Sequence, residues 1–220
     1  MEIAIIGAGF TGLSAAYFLS KKGIKVTVFE KEQLPGGLAL GFKDQKWDWS
    51  LEQHYHHWFV SDSAIRKLAE EIGHPVRFVR PKTSTLVDGS ITQLDSPKSL
   101  LAFTPLPMID RLRTCVGLAL MRFNPFWKMF EFFSAEKYIK TTMGELSWNK
   151  LWGPLFHGKF SSFTPVISAT WFWARVFKRS ASLGYPEGGF QSLAGAIETK
   201  AKQNSASFVY NCEVQKISEE

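Results

Sequence analysis

A glycine-rich turn near the N-terminus stands between an apolar run and a segment with helical periodicity. Residues 2–9 read EIAIIGAG, so the apolar run ends in glycines. Ala15, Ala16 and Leu19 then recur at helical spacing, and Gly23 stands where a helix would end. The next segment, KVTVFE, is short and β-branched. This order of strand, glycine turn, helix and strand predicts a βαβ unit in a parallel sheet.

The glycines of this turn match the GxGxxG pattern of a dinucleotide-binding Rossmann-like domain, in the strand-to-helix setting that the pattern requires. Gly7 permits the tight turn, Gly9 lets the backbone approach a pyrophosphate, and Gly12 lets the helix pack closely on the strand. Glu30 ends the second strand, where a carboxylate accepts hydrogen bonds from ribose hydroxyls and repels the 2′-phosphate of NADP. The alternative is a glycine turn that serves packing alone.

A second pair of glycines, Gly36-Gly37, follows one short loop after Glu30 in the stretch EKEQLPGGLA. A second place of close backbone approach suits a ligand longer than NAD, such as FAD. Pro-Gly-Gly is also ordinary turn chemistry. The residues by themselves therefore leave NAD and FAD both open.

Several segments resemble the flavin-dependent amine oxidoreductase superfamily, which includes protoporphyrinogen oxidase, phytoene desaturase and monoamine oxidase, with UDP-galactopyranose mutase as a relative. The N-terminal ones are GAGFTGLSAAYFL, FEK and PGGLA; the later ones are WSLEQHYHHWFVSDSAI, LWGPLFHGKF, ATWFWAR, YPEGGFQSLAGAI and NCEVQKI. The resemblance implies a Rossmann-like FAD-binding domain with a parallel sheet and an inserted, mainly helical substrate domain. It implies FAD contacts at Gly7, Gly9, Gly12, Glu30, Gly36, Gly37 and Val214. We predict further cofactor contacts at Lys31, Leu38 and His56.

The sequence departs from the superfamily pattern in two ways. Many members have Arg after the double glycine, whereas this chain has Leu38, which removes one donor near the flavin phosphates. Members also continue for roughly as many residues again beyond the valine strand. We therefore expect either a fragment or a chain that a separate C-terminal polypeptide completes.

The middle of the chain is basic and aromatic. Residues 97–183 contain 12 Lys and Arg against 4 Asp and Glu, and 16 of the 27 Phe and Trp residues. We predict an FAD-binding domain at 1–80 and 184–220, interrupted by a hairpin and helical substrate domain at 81–183. The basic residues suit a solvated surface on a helical core, peripheral contact with a membrane, or an anionic amphipathic substrate. They match no nucleic-acid-binding motif.

Local patterns predict further elements. SDSAIRKLAEEIG reads as a helix, TSTLVDGSITQL as a hairpin turned at Asp88-Gly89, and Ser96-Pro97 as a helix start. An apolar stripe between Ile109 and Phe123 predicts one helix, and a second helix is expected from about Gln191 to Lys202. ASFVY and EVQKI are predicted to form a strand pair. The stripe consists of Ile109, Leu112, Val116, Leu120 and Phe123.

The stretch EQHYHHW contains Glu52, His54, His56 and His57. On a strand, Glu52 and His56 would lie roughly 13 Å apart, too far for one ion, and no metal site is predicted. The stretch is expected either to line the flavin and substrate cavity or to pack structurally, and which histidine faces the flavin stays open. His157 is expected to be half-buried with a bonded ring, and Lys159 and Arg175 to meet either carboxylates of the protein or a substrate carboxylate.

The function that these patterns and the resemblance favour is an FAD-dependent oxidoreductase that takes a hydride from a C–N or C–C bond of a small or amphipathic substrate. No catalytic residue is assigned, because the flavin supplies the redox chemistry. The alternatives are a flavin isomerase similar to UDP-galactopyranose mutase and an inactive partial chain. Two cysteines and no signal peptide predict a cytoplasmic protein with reduced thiols, with membrane association left open.

Overall fold

The computed structural model describes residues 1–218 and divides into two compact units. The first unit comprises residues 1–79 and the chain from Ser182 onward, and the second comprises Arg80–Ala181. The sequence prediction placed its boundaries at 80/81 and 183/184. The roles given there to each part, cofactor binding and substrate binding, stay predictions.

The N-terminal part of the first unit starts with the predicted βαβ unit. Its elements are β1 (Glu2–Ile6), α1 (Phe10–Lys21), β2 (Lys25–Phe29), β3 (Gly41–Phe42), β4 (Leu51–Glu52), β5 (Trp58–Phe59), α2 (Ser63–Glu71) and β6 (Val76–Val79). A 3-10 turn at Gly37–Ala39 follows the double glycine. The βαβ order and the helix over SDSAIRKLAEEIG are thus confirmed.

The second unit consists of a hairpin followed by helices. Its elements are β7 (Ser84–Val87), β8 (Ser90–Gln93), α3 (Pro97–Leu101), α4 (Met108–Phe123), α5 (Ala135–Thr142), α6 (Glu145–Ser147), α7 (Gly153–Phe160) and α8 (Ala169–Lys178). Two 3-10 segments, Trp127–Phe130 and Ser161–Val166, and a π-helical segment, Trp148–Trp152, join them. The hairpin turns at Asp88 and Gly89, both with positive φ, as predicted.

The chain returns to the first unit through β9 (Leu183–Pro186), α9 (Phe190–Gln203) and β10 (Ser207–Val209). Both β1 and β10 pair with β2 in parallel, in the order β1-β2-β10. Helix α1 packs on this sheet, α9 packs against α1, and their side chains share one buried core. It includes Leu13, Val26, Val28, Leu193 and Ile197.

The prediction of a second strand at EVQKI is wrong. Residues 212–218 have no regular secondary structure, although β10 covers the predicted first strand. Asn211 has a φ of 53°, which interrupts the extended run. A strand also needs a neighbour to bond with, and in the described part of the chain none borders residues 213–217. Val214 therefore lies in an irregular segment.

Helix α3 begins as the serine-proline pair predicts. The Ser96 side chain accepts from the Ser99 backbone N–H, and the Ser99 hydroxyl bonds back to the Ser96 backbone N–H. Pro97 occupies the first turn, where its missing N–H costs nothing. Across residues 1–218, no helix is both long and apolar enough to pass through a bilayer.

Ile197 tests the core of the first unit because its side chain, on α9, is fully buried in that core. We expect Ile197→Ala to lower the free energy of unfolding of this unit by about 2–5 kcal/mol, through lost burial and the cavity left behind. Denaturant unfolding followed by circular dichroism measures it. Ile217→Ala, at a side chain 77% exposed, is the matched control and should change the free energy by less than about 0.5 kcal/mol. Equal effects of the two substitutions would contradict this packing.

Candidate functional site

The first glycine turn is built so that only glycine fits at its key positions. Gly7 has a φ of 93°, and its N–H donates to the Phe29 carbonyl at 2.7 Å. A Cβ on Gly12 would lie 2.0 Å from the Gly7 carbonyl oxygen. Helix α1 then starts after Gly9 with no side-chain cap and no acidic residue in its first turn. Its N-terminal amides and positive dipole end are therefore suited to an anion.

The second glycine turn touches the first, backbone against backbone. Gly36 donates its N–H to the Ala8 carbonyl at 2.9 Å, and Gly9 and Gly36 form an isolated parallel bridge. A Cβ on Gly37 would lie 3.0 Å from the Gly9 Cα. Gly36 and Gly37 both have positive φ, at 138° and 58°. Two turns separated in sequence thus form one continuous backbone surface without side chains.

Glu30 is buried at the carboxyl end of β2, beside the first turn. Its carboxylate accepts the Ala8 N–H at 2.5 Å and the Glu32 N–H at 2.9 Å, and only 7% of the residue is exposed. Each carboxylate oxygen has a further lone pair for a hydroxyl donor. The Cys212 N–H donates to the Glu30 carbonyl at 2.9 Å, which brings the segment before Val214 alongside this position.

A cavity of about 520 Å³ opens beside the two turns. Six of the ten predicted cofactor-binding residues line it: Gly7, Gly9, Gly12, Gly36, Leu38 and His56. The other lining residues are mostly apolar: Ile6, Phe10, Thr11, Ala39, Trp58, Ile65 and Phe190. Glu30, Lys31, Gly37 and Val214 are not among the lining residues, so contacts of these four with a ligand in this cavity stay predictions.

The EQHYHHW stretch contributes to this site in separate ways. Glu52 accepts the Phe190 N–H at 3.3 Å, so its carboxylate sits at the N-terminus of α9. His56 lines the cavity, and its ring centroid is 5.7 Å from that of Phe190. His57 packs between the rings of Tyr55 and Phe59. Of these three histidines, His56 is the one that lines the cavity.

Tyr185 and Tyr55 form a hydroxyl pair near the same aromatic cluster. The Tyr185 hydroxyl donates to that of Tyr55 at 3.0 Å, and the Tyr185 ring packs edge-on against Phe190. Burial, the hydrogen bond to Tyr55 and the charge of Glu52 raise the pKa of Tyr185. Its hydroxyl therefore stays protonated at neutral pH and remains a hydrogen-bond donor.

Gln191 is a positioning residue that the sequence patterns did not single out. Its amide nitrogen donates to the Pro35 carbonyl at 2.6 Å, and its amide oxygen accepts the Gly41 N–H at 3.1 Å. The side chain thus fastens the loop on both sides of the double glycine to the first turn of α9. About 150 residues separate these partners in sequence, so spacing alone gave no indication. Its position directly after the GGF turn was the one sequence feature that could have suggested this positioning role.

In the second unit, the residues singled out from the sequence have ordinary partners. The His157 ring bonds the Gly153 carbonyl at 2.7 Å, although the residue is more exposed than expected. Lys159 and Arg175 lie over the Trp171 ring, at 6.0 Å and 5.2 Å from its centroid. Neither forms an ion pair within residues 1–218, so the expected salt bridges are replaced by cation–π contacts.

The first glycine turn and its surroundings match a known domain. Residues 5–72 match the model of the NAD(P)-binding Rossmann-like domain family. Among curated proteins, the zeta-carotene desaturase of Arabidopsis thaliana is 29% identical over 133 residues, which cover 54% of this chain and 24% of the desaturase. The coproporphyrinogen III oxidase of Staphylococcus aureus is 38% identical over 74 residues, which cover 33% of this chain and 16% of the oxidase.

Similar solved structures extend the likeness of fold to the whole chain. An oxidoreductase from Methanosarcina mazei superposes with a TM-score of 0.72 at 22% identity, covering 100% of this chain and 53% of that one. A UDP-galactopyranose mutase superposes with a TM-score of 0.66 at 21% identity, covering 94% of this chain and 48% of the mutase. The chain thus spans about half the length of these structures.

The glycine turns, the Rossmann-like match and the desaturase and oxidase relatives all agree with the superfamily that the sequence resembles. Residues 5–72 thus match an NAD(P)-binding Rossmann-like domain, and the chain is similar in sequence to desaturases and oxidases.

Proposed function

We propose that the first unit binds FAD across the two touching glycine turns, and that the protein is an FAD-dependent oxidoreductase. The reaction is hydride removal from a C–N or C–C bond of a small or amphipathic substrate. The observation that supports this most is the backbone bridge between Gly9 and Gly36, two residues that both line a cavity of about 520 Å³. Since the chain spans about half the length of its structural relatives, catalysis is proposed for the complete gene product.

The residues present fit FAD. The Gly7–Gly12 turn and the uncapped start of α1 suit a diphosphate, because the free backbone amides there can bind its oxygens. The turn requires glycine at Gly12, where a Cβ would collide with the Gly7 carbonyl oxygen. Glu30 suits the ribose, because its buried carboxylate can accept hydroxyl donors beyond its two backbone bonds. The same negative charge disfavours the 2′-phosphate of NADP. The second turn gives close backbone approach to a ligand that extends beyond one nucleotide.

FAD, when bound, supplies the hydride acceptor. The chain's own residues bind it, orient it and keep water away. Phe10, Trp58 and Phe190 form edge-to-face contacts at the cavity wall, with the Phe190 ring 6.2 Å from Phe10 and 5.6 Å from Trp58. Such an apolar wall excludes water from a reacting centre. His56 is the imidazole among these side chains, and we propose that it contacts the ligand.

A second candidate is an isomerase similar to UDP-galactopyranose mutase. The fold likeness to that enzyme and the 14 Lys and Arg against 6 Asp and Glu in residues 80–181 suit an anionic sugar nucleotide. Conversion of a UDP-sugar by the complete gene product without net electron transfer would favour this candidate. Failure of UDP to shift the melting temperature would count against it.

The experiment for FAD binding compares two glycine substitutions in helices of the first unit. In the complete gene product, we expect retained flavin absorbance and a melting temperature that rises with added FAD. Gly12→Ala should abolish both, since its Cβ would lie 2.0 Å from the Gly7 carbonyl. Gly195→Ala is the control: a Cβ there meets nothing within 4 Å, and alanine should stabilise α9 by about 0.5–1 kcal/mol.

Two outcomes would overturn the proposal. One is wild-type protein that takes up no flavin and gains no melting temperature from FAD. The other is a Gly12→Ala variant that binds FAD as tightly as the Gly195→Ala variant does.

Glu30 provides a separate test of the ribose end. We expect Glu30→Gln to weaken FAD binding by about 10- to 100-fold, because a hydrogen bond to a charged acceptor is lost. Titration of the apo-protein with FAD measures the dissociation constant. Glu32→Gln is the matched control and should leave it unchanged, since the Glu32 side chain is 56% exposed and its ion pair within residues 1–218 is a surface contact with Lys31. Equal weakening by both substitutions would show that Glu30 has no specific part in binding.

A further inference from the structure

The turn that leads into α9 is fixed to β6 and to the residues just before it. The Glu187 N–H donates to the Pro75 carbonyl at 2.9 Å, and the His74 ring bonds the Glu187 carbonyl at 3.0 Å. The Arg77 guanidinium donates to the Glu187 carboxylate at 2.9 Å. Strand β9, which precedes this turn, pairs with β6 in antiparallel. The start of α9 is therefore held in place by contacts that do not involve the glycine turns.

Gln191 reaches from the first turn of α9 to the second glycine turn. Its amide nitrogen donates to the Pro35 carbonyl at 2.6 Å, and its amide oxygen accepts the Gly41 N–H at 3.1 Å. A Cβ on Gly36 would lie 3.3 Å from the same amide oxygen, so the side chain runs alongside the turn itself. One amide group thus spans the double glycine and bonds the backbone on both sides of it.

The two bonds need a donor and an acceptor on the same side-chain group. A glutamine amide offers both, whereas a carboxylate only accepts and a thioether is at most a weak acceptor. The Gln191 contacts are part-buried, so the backbone groups of Pro35 and Gly41 are not freely solvated when the amide is lost. The amide is therefore the chemical feature that fixes this loop to α9.

A double glycine needs such external bonds more than other dipeptides do, because glycine loses the most conformational freedom when it is ordered. Gly36 and Gly37 hold φ values of 138° and 58°, and residues 31–34 before them are exposed. The Gln191 amide restricts the conformations of this turn before any ligand arrives. Preorganisation of this kind raises the affinity for a ligand that contacts the turn.

Short and long adenine nucleotides differ in how much of the proposed site they use. ADP has the ribose and diphosphate that suit Glu30 and the turn at residues 7–12. FAD has these groups as well and continues through its ribityl chain to the flavin, which brings it to the second turn. Gln191 is not among the described residues that line the cavity, so it acts through the turn and does not contact the ligand.

We propose that Gln191 sets the preference of the site for FAD over shorter adenine nucleotides. It does so as a positioning residue, by holding the second glycine turn in place for the half of the ligand that contains the flavin. This inference rests on the proposed FAD binding and deepens it, because it assigns the selection of ligand length to one side chain.

Gln191→Met in the complete gene product tests the proposal, because methionine keeps the length of the side chain and lacks the amide. Titrations of the apo-protein with FAD and with ADP measure the two dissociation constants. Affinity for FAD should fall about 25-fold, roughly fivefold for each lost hydrogen bond, while affinity for ADP should stay within about twofold.

Gln203→Met is the matched control, since it makes the same substitution at an exposed position at the other end of α9. It should leave both dissociation constants unchanged. Amide hydrogen exchange without ligand gives a second readout. In Gln191→Met, peptides that cover residues 36–41 should exchange faster than in the wild type, and peptides that cover residues 7–12 should keep their rates.

Two results would overturn the inference while leaving the proposed function intact. One is an equal loss of FAD and ADP affinity in Gln191→Met, which would show a general structural role. The other is an unchanged FAD affinity in that variant. A wild type that does not bind FAD would instead refute the proposed function, and the inference with it.

Discussion

The contact between the backbones of Gly9 and Gly37 is the constraint on which the candidate site depends. A Cβ at Gly37 would lie 3.0 Å from the Gly9 Cα and press the two turns apart, and a Cβ at Gly12 would displace the Gly7 carbonyl. The rest of the first unit holds this contact in place. The βαβ unit presents the first turn at the carboxyl ends of its strands, while Gln191 ties the loop of the second turn to α9. The site is thus a property of backbone geometry more than of reactive side chains.

The first unit assembles its site from both ends of the sequence. Residues 1–79 supply the glycine turns, Glu30 and His56, and the chain from Ser182 onward supplies Phe190 and Gln191. Glu52 connects the two parts, because its carboxylate accepts a hydrogen bond at the start of α9. This arrangement explains why the EQHYHHW stretch is polar. Glu52 holds a helix terminus, His56 lines the cavity and His57 packs among aromatic rings.

The parts of the fold that depend on local patterns were predictable from the sequence. The βαβ unit, the Asp88-Gly89 hairpin and the Ser96 cap each follow from residues a few positions apart. Gln191 and the capping role of Glu52 were not predictable, because their partners are more than 100 residues away. The strand predicted at EVQKI failed for a related reason: its propensity is extended, but no neighbouring strand in residues 1–218 pairs with it. Periodicity also identified the α4 stripe, but it could not tell which way the stripe faces.

Amide hydrogen exchange with and without FAD tests most directly whether the two glycine turns form one binding surface. FAD should slow exchange together in peptides that cover residues 7–12 and 36–39, since both turns would lie against the same ligand. The second unit should show no comparable change in its hairpin, at residues 84–93. Protection of one glycine turn without the other, or protection confined to segments outside both turns, would contradict the account.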